Sequence, residues 1–214
     1  MTYEKPVVSL WEKIQTKIRY GTTLFNINNL ILKKTGIEFT PYILFQEGIN
    51  LSEITEFRRL PSDYLFEIFG PEDMKKIRTL DDGFSEDELL SRVRTGEKCI
   101  GLKTNNEIVA FMWINFNEYS GYYSKPVQLK NNEAYLRFTY TVKSYRGKNL
   151  APYLRYKSYE ILKEIGRDVL YSISLYFNSP AVKFKEKLQA KKLKIMLYIK
   201  LSEKLSWNIT LKSF

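Results

Sequence analysis

The sequence has no histidine and a single cysteine, Cys99, in 214 residues. Without histidine there is no Ser-His-Asp or Cys-His triad, no carboxylate–histidine proton relay and no histidine ligand for a catalytic zinc. A lone thiol allows neither an intrachain disulfide nor a multi-cysteine metal cluster. The chain therefore reads as a protein of a reducing compartment that uses no metal. Cys99 lies in Lys98-Cys99-Ile100-Gly101-Leu102 and reads as a small apolar residue of a buried strand. No apolar run approaches the roughly 20 residues that span a bilayer. The opening Met1-Thr2-Tyr3-Glu4-Lys5-Pro6 carries no apolar signal core or small-residue cleavage site, so the expected compartment is the cytoplasm.

What the chain does have is positive charge: 34 Lys and Arg against 24 Asp and Glu, a net +10. That balance attracts phosphate, nucleic acid or an anionic membrane surface, although a generally basic, solvated exterior is its plainest meaning. Residues 7–32 mix Trp11, Ile14, Ile18, Leu24, Phe25 and Leu30 with Lys13, Lys17 and Arg19. Such an amphipathic stretch is expected to dock on the rest of the fold, with peripheral membrane contact as the alternative.

The length suits one domain with an appendage. Residues 1–50, with an extended run at 38–45, read as an N-terminal extension, and 51–214 as the domain proper. A short strand is expected at 57–60, helical periodicity at 61–77, and a second helix at 85–93 opened by the capping box Ser85-Glu86-Asp87-Glu88. Runs at 98–103 and 107–116 flank Thr104-Asn105-Asn106 and read as a hairpin. Between 134 and 142 the alternation is strict, with Ala134, Leu136, Phe138, Tyr140 and Val142 on one face and Tyr135, Arg137, Thr139 and Thr141 on the other. A helix follows at 150–165, with Pro152 tolerated in its first turn and Gly166 placed to end it. A strand at 169–177 leads into Asn178-Ser179-Pro180, where serine can cap and proline can open a helix running to about 191. Ala181, Phe184 and Leu188 form its expected buried side, with Lys183, Lys185, Lys187, Lys191 and Lys192 projecting elsewhere. Strands at 194–201 and 207–212 close a mixed α/β fold of antiparallel hairpins around one strand–helix–strand unit.

The informative place is the junction Val142-Lys143-Ser144-Tyr145-Arg146-Gly147-Lys148-Asn149-Leu150-Ala151, where a strand turns abruptly into a helix. Amides at a helix start lack internal partners, and with the helix dipole they form a concave donor set for phosphate. Gly147 lets a ligand approach the backbone, Asn149 tolerates positive φ, and Ala151 keeps the first turn narrow. Arg146 and Lys148 add charge.

This segment resembles the Q/R-x-x-G-x-G/A pyrophosphate loop of the GNAT superfamily of acyl-CoA-dependent N-acyltransferases, with Arg146 first, Asn149 in a glycine place and Ala151 last. Asn178-Ser179-Pro180-Ala181 through Lys187-Leu188 is similar to the family's later N-x-x-A…K-L segment, and the likeness covers roughly residues 54–201. It implies a central, mostly antiparallel sheet splayed into a V and flanked by helices. The pantetheine arm of acetyl-CoA, or another acyl-CoA, would occupy the gap. The implied cofactor residues are Tyr140, Thr141, Val142, Arg146, Gly147, Lys148, Asn149, Leu150, Ala151 and Asn178. The tyrosine that often serves as general acid in that family falls at Lys185, and Gln189-Ala190 replaces its glycine-aromatic ending.

The resemblance further implies direct attack of an amine on the thioester, with an oxyanion donor beside residues 140–142 and no nucleophilic side chain. Glu133 is the candidate base, acting through water, and Tyr176 the candidate acid. The acceptor would be an amine of a small molecule or peptide. An amino sugar is attractive because the appendage also looks like that of acyltransferase-like proteins of surface-glycan assembly. Two other functions compete: a non-catalytic CoA-binding regulator, and a nucleic-acid-binding module using Tyr153-Leu154-Arg155-Tyr156-Lys157. No nucleic-acid partner is expected, since no recognised motif accompanies those aromatics. Residues 69–84 and 117–132, including Tyr119, Tyr122 and Tyr123, are the candidate acceptor loops. Oligomeric state and acyl-chain length leave no mark in the sequence.

Overall fold

The computed structural model describes residues 34–59, 63–81, 83–119, 126–202 and 204–214. The stretch at 7–32, Tyr122 and Tyr123 lie outside them. Along the described residues run β1 (Glu38–Glu47), β2 (Leu65–Phe69), α1 (Pro71–Leu80), α2 (Glu86–Arg94), β3 (Lys98–Thr104) and β4 (Glu107–Asn115). There follow β5 (Glu118–Tyr119), β6 (Val127–Gln128), β7 (Glu133–Thr141), α3 (Leu150–Glu164), β8 (Val169–Leu175), α4 (Ser179–Lys187), β9 (Lys191–Ser202) and β10 (Leu205–Ser213). Eight strands form one sheet in the order β10-β9-β1-β8-β7-β4-β3-β2, and β5 with β6 makes a separate ribbon. Every pair in the large sheet is antiparallel except β7 with β8.

That parallel pair shapes the molecule. It holds only at Glu133↔Val169, Ala134↔Leu170 and Tyr135↔Tyr171. Beyond those residues β7 keeps β4 as its partner and β8 keeps β1, so the sheet opens into a V.

Local chemistry explains most boundaries. Asn105 and Asn106 join β3 to β4 with φ of 47° and 63°, the left-handed pair that a two-residue hairpin turn requires and asparagine tolerates. The Ser85 hydroxyl accepts from the Glu88 amide at 3.1 Å, while Glu88 turns its carboxylate to Arg92 at 2.9 Å, so half of the expected box forms. The helix expected at 61–77 is corrected: Leu65–Phe69 pairs with β3 instead, and Pro71 opens α1 in the position where its missing N–H costs nothing. Phe57 and Arg58, expected to begin a strand, lie in a turn. The α4 helix stops at Lys187, and Gln189 takes φ 55° before β9 begins. Its cap is Asn178, not Ser179, with the Ala181 amide donating to Asn178 Oδ1 at 3.3 Å.

The single apolar face expected along 134–142 is split by a β-bulge. Met112 pairs with Thr139 but Trp113 with Arg137, leaving Phe138 as the extra residue at φ 46°. Ala134 and Leu136 therefore pack under α3. Phe138 and Tyr140 pass to the other face, their rings 5.9 and 5.3 Å from that of Phe111.

One core lies between the sheet and α3, and a second under α1 and α2 around Met74, Ile77, Phe111 and Trp113. Cys99 is 1% exposed in the second core, and burial raises its thiol pKa. Gly101 is packed so closely that a Cβ would collide with the Phe69 ring and lie 2.7 Å from the Ala110 carbonyl oxygen. Gly101→Ala is expected to lower unfolding stability by roughly 1–3 kcal/mol, measurable by urea denaturation. No helix among the described residues is long and apolar enough to cross a membrane.

Candidate active site

The mouth of the V is closed by the segment leading from β7 into α3. A short 3-10 turn uses the first amides there: Tyr145 donates to the Val142 carbonyl at 2.9 Å and Arg146 to that of Lys143 at 3.3 Å. Then the internal bonds stop. The amides of Gly147, Lys148, Asn149, Leu150 and Ala151 donate no hydrogen bond among the described residues, until Tyr153 reaches the Asn149 carbonyl at 3.0 Å. Gly147 at φ 83° and Asn149 at φ 57° curl the chain, a geometry in which successive N–H groups form an anion-binding nest.

This loop forms one wall of a cleft of about 420 Å³, with the start of α4 as the opposite wall. Arg146, Lys183 and Lys187 supply its charged lining, and among the described residues no acidic side chain contributes. The Arg146 Nε donates to the Thr141 carbonyl at 3.0 Å, which anchors the guanidinium at the rim. Thr139 Oγ1, on the strand side, is buried without a hydrogen-bond partner among the described residues. An undonated amide nest, a cationic rim and an orphaned hydroxyl along the open strand fit a long ligand with an anionic diphosphate and a polar arm. The residues present thus fit an acyl-CoA.

Of the expected cofactor residues, Tyr140, Thr141, Arg146, Gly147, Asn149, Leu150, Ala151 and Asn178 line the cleft. Val142 and Lys148 do not: the Val142 amide donates to Val109 at 2.9 Å, and the Lys148 ammonium sits 5.0 Å from the Tyr145 ring centroid. Because backbone groups alternate sides along a strand, the Val142 bond to β4 turns the Tyr140 amide the same way. The amides of Thr139 and Thr141 face the gap. Sequence reasoning missed Thr139, Tyr145, Pro152, Pro180, Ala181, Lys183, Phe184 and Lys187. The spacing of Pro180, Ala181, Phe184 and Lys187 along one helix face was the available signal.

The expected proton carriers are not brought to the cleft. Glu133 stands at the far end of the nine-residue β7, about 20 Å along the strand from Thr139. Its carboxylate accepts from the Lys130 amide at 2.8 Å and the Tyr171 hydroxyl at 3.4 Å. Tyr176 is 43% exposed and lies outside the lining, against Phe177. Tyr153, Arg155 and Tyr156 are buried at 8%, 2% and 3% exposure, so they are not available for stacking on bases.

Lys185 departs most from expectation, being buried rather than projecting. It joins Glu47 of β1, Arg155 and Tyr159 of α3 and Ser172 of β8. Glu47 accepts from Tyr159 at 2.5 Å and from Ser172, and faces Arg155 at 3.3 Å and Lys185 at 3.8 Å. Burial alone would raise the Glu47 carboxyl pKa, but Arg155 and Lys185 hold it below its ordinary value. Burial brings the Lys185 ammonium down to about 7 against the pull of Glu47, with Arg155 adding to the shift. Among the described residues no group of three or more His, Cys, Asp or Glu side chains could hold a metal ion.

The model of the Acetyltransferase (GNAT) family matches residues 54–189. No curated protein matches the chain. Among solved structures, a Drosophila protein superimposes with a TM-score of 0.59 at 14% identity, covering 86% of this chain and 59% of its own. A tandem GNAT protein from the clavulanic acid biosynthesis pathway gives 0.56 at 12%, over 85% of this chain and 57% of its own. A GCN5-related N-acetyltransferase-like protein of Streptococcus suis gives 0.53 at 11%, over 80% and 66%. At these identities the likeness is one of fold, and the chain spans less than two thirds of each.

Proposed function

Because the chain belongs to the acetyltransferase (GNAT) family, we propose that it is an acyl-CoA-dependent N-acyltransferase, most simply an acetyltransferase acting on a primary amine. Acetyl-CoA would supply the thioester that the amine attacks directly. The observation carrying the reading is the run of five undonated amides from Gly147 to Ala151 at the start of α3. These amides bind the diphosphate, with Arg146, Lys183 and Lys187 neutralising its charge. The V between β7 and β8 takes the pantetheine arm, bonded by gap-facing backbone and the Thr139 hydroxyl. The amides of Thr139 and Thr141 are the preorganised donors for the developing oxyanion. Glu133 and Tyr176 receive no role in proton transfer, since neither lines the cleft.

The acceptor is a small-molecule or peptide amine, with an amino sugar the first class to test. Purified protein with acetyl-CoA and a panel of amino sugars, simple amines and peptide N-termini is expected to release CoA thiol in an amine-dependent way. Tight CoA binding without release across the panel would instead make the chain a CoA-binding regulator.

A further inference from the structure

We propose that the helix side of the β1-β9-β10 arm is the docking face for a second copy of this chain, packed sheet against sheet about a two-fold axis. Strand pairing defines the face. Ile199 of β9 stands opposite Trp207 of β10, and Leu197 stands opposite Ile209, with Pro41 of β1 continuing the second row. Directly opposite residues share a face, and alternation along β1 puts Pro41 with Phe45 and Glu47. Those two meet the Lys185 side chain of α4, and Glu47 also meets Arg155 of α3. The apolar rows therefore lie on the side of the sheet that carries α3 and α4.

Past those helices this side is open among the described residues. Leu205, Trp207, Ile209 and Leu211 alternate along β10 and are between 45% and 57% exposed. None of the four belongs to either core. The residues between them turn the other way, where the Tyr42 hydroxyl donates to Asn208 Oδ1 at 2.7 Å and the Thr210 hydroxyl to the Met196 sulfur at 3.3 Å. The stripe is thus one-sided. It continues over the half-buried Pro41, Ile195, Leu197 and Ile199.

Three properties of this face fit a copy of itself. The first is area: the patch amounts to on the order of 600 Å², the most that a monomer commonly leaves bare. With its rim it approaches the roughly 800 Å² per partner of a stable pair. The second is shape. The α4 helix borders β9, where Glu186 meets Lys192 at 2.8 Å, and stands on the sheet as a layer about 10 Å thick. The arm beside it is a step of that depth, and two sheets pack face to face at about the same spacing. A second arm fills the step, whereas a flat bilayer does not reach into it. The third is symmetry, since a two-fold axis sets one apolar face against its own duplicate and closes the assembly at two.

The test is sedimentation equilibrium of the full chain as wild type, as the Trp207→Lys, Ile209→Lys double variant, and as Ile68→Lys. Ile68 is an exposed apolar residue of β2, at the opposite edge of the sheet. The wild type is expected to be a dimer at micromolar concentration. The double variant is expected to raise the dimer dissociation constant at least roughly a hundredfold, and Ile68→Lys to change it less than about threefold. Each copy carries a net +10, so charge opposes the pairing and added salt is expected to tighten it. Oxidative footprinting of the wild type reads the same face without any substitution. Trp207 and Leu211 are expected to be protected when concentrated and to react on dilution.

A wild type that stays monomeric at every concentration overturns the proposal. Trp207 protected in that monomer would assign the face to residues 7–32. Salt-sensitive binding of the monomer to phosphatidylserine vesicles, lost in the double variant, would assign it to lipid. A dimer that the double variant leaves intact places the interface elsewhere and overturns it as well. The cofactor cleft takes no part in this pairing, so CoA binding tests the acyltransferase reading separately.

Discussion

In a calorimeter the wild-type protein is expected to bind acetyl-CoA, and Gly147→Trp to lose at least roughly a hundredfold in affinity, about 2.7 kcal/mol. A Cβ placed on Gly147 meets nothing within 4 Å among the described residues, so no packing among them pushes the indole away from the cleft that the residue lines. The ring takes the space above the undonated amides. Because Gly147 sits at φ 83°, any side chain there also costs about 1–2 kcal/mol of backbone strain. That strain is present with and without ligand and lowers stability rather than affinity. Gly147→Ala is the matching control, keeping the strain while filling little of the cleft. Equal binding by Gly147→Trp and wild type would show that the diphosphate does not lie on this loop.

Glu47→Ala is expected to destabilise the fold by about 3–5 kcal/mol, the scale of removing one partner from a buried ion pair. Glu47 is fully buried. Its loss strands Arg155 and Lys185 as uncompensated cations and orphans the Tyr159 and Ser172 hydroxyls. It stands at the end of β1, which is held between β8 and β9, so the damage falls where two halves of the sheet arm are joined. The folded pKa of Glu47 is lowered. Its contribution is therefore present above the unfolded carboxylate range and is lost as pH falls through the folded value. Urea denaturation at neutral and acidic pH reads both effects. A Glu47→Ala protein within about 1 kcal/mol of wild type would contradict the ion cluster's structural role.

Elements written in local chemistry were legible in the sequence: the Asn105-Asn106 turn, the Ser85 cap, the helix ended by Gly166, and the loop at Arg146 to Ala151. So was the curl of that loop, since a glycine and an asparagine able to adopt positive φ are visible as residues. What depends on pairing at a distance was not. Nothing within 38–45 says that this strand inserts between β8 and β9. The alternation along 134–142 gave no warning that Phe138 would bulge and send Tyr140 to the other face. Leu65 to Phe69 carries both helical and strand character, and only its pairing with β3 decided between them.

Lys185 shows the same limit beneath the cleft wall. Among Lys183, Lys185, Lys187, Lys191 and Lys192 it looks like part of a solvated face. Its carboxylate partner comes from β1, far away in the chain, and only the folded sheet brings the two together. Glu133 lies away from the cleft for the converse reason: its position at a strand entrance was visible, but which end of the V would open into the cleft was not.

The most direct test of the diphosphate site is an amide-resolved NMR titration of the isotope-labelled chain with CoA. Binding is expected to shift the N–H resonances of Gly147, Lys148, Asn149, Leu150 and Ala151 and to slow their exchange with solvent. CoA that binds while these five amides keep their shifts and exchange rates would contradict the assignment of this loop as the phosphate site.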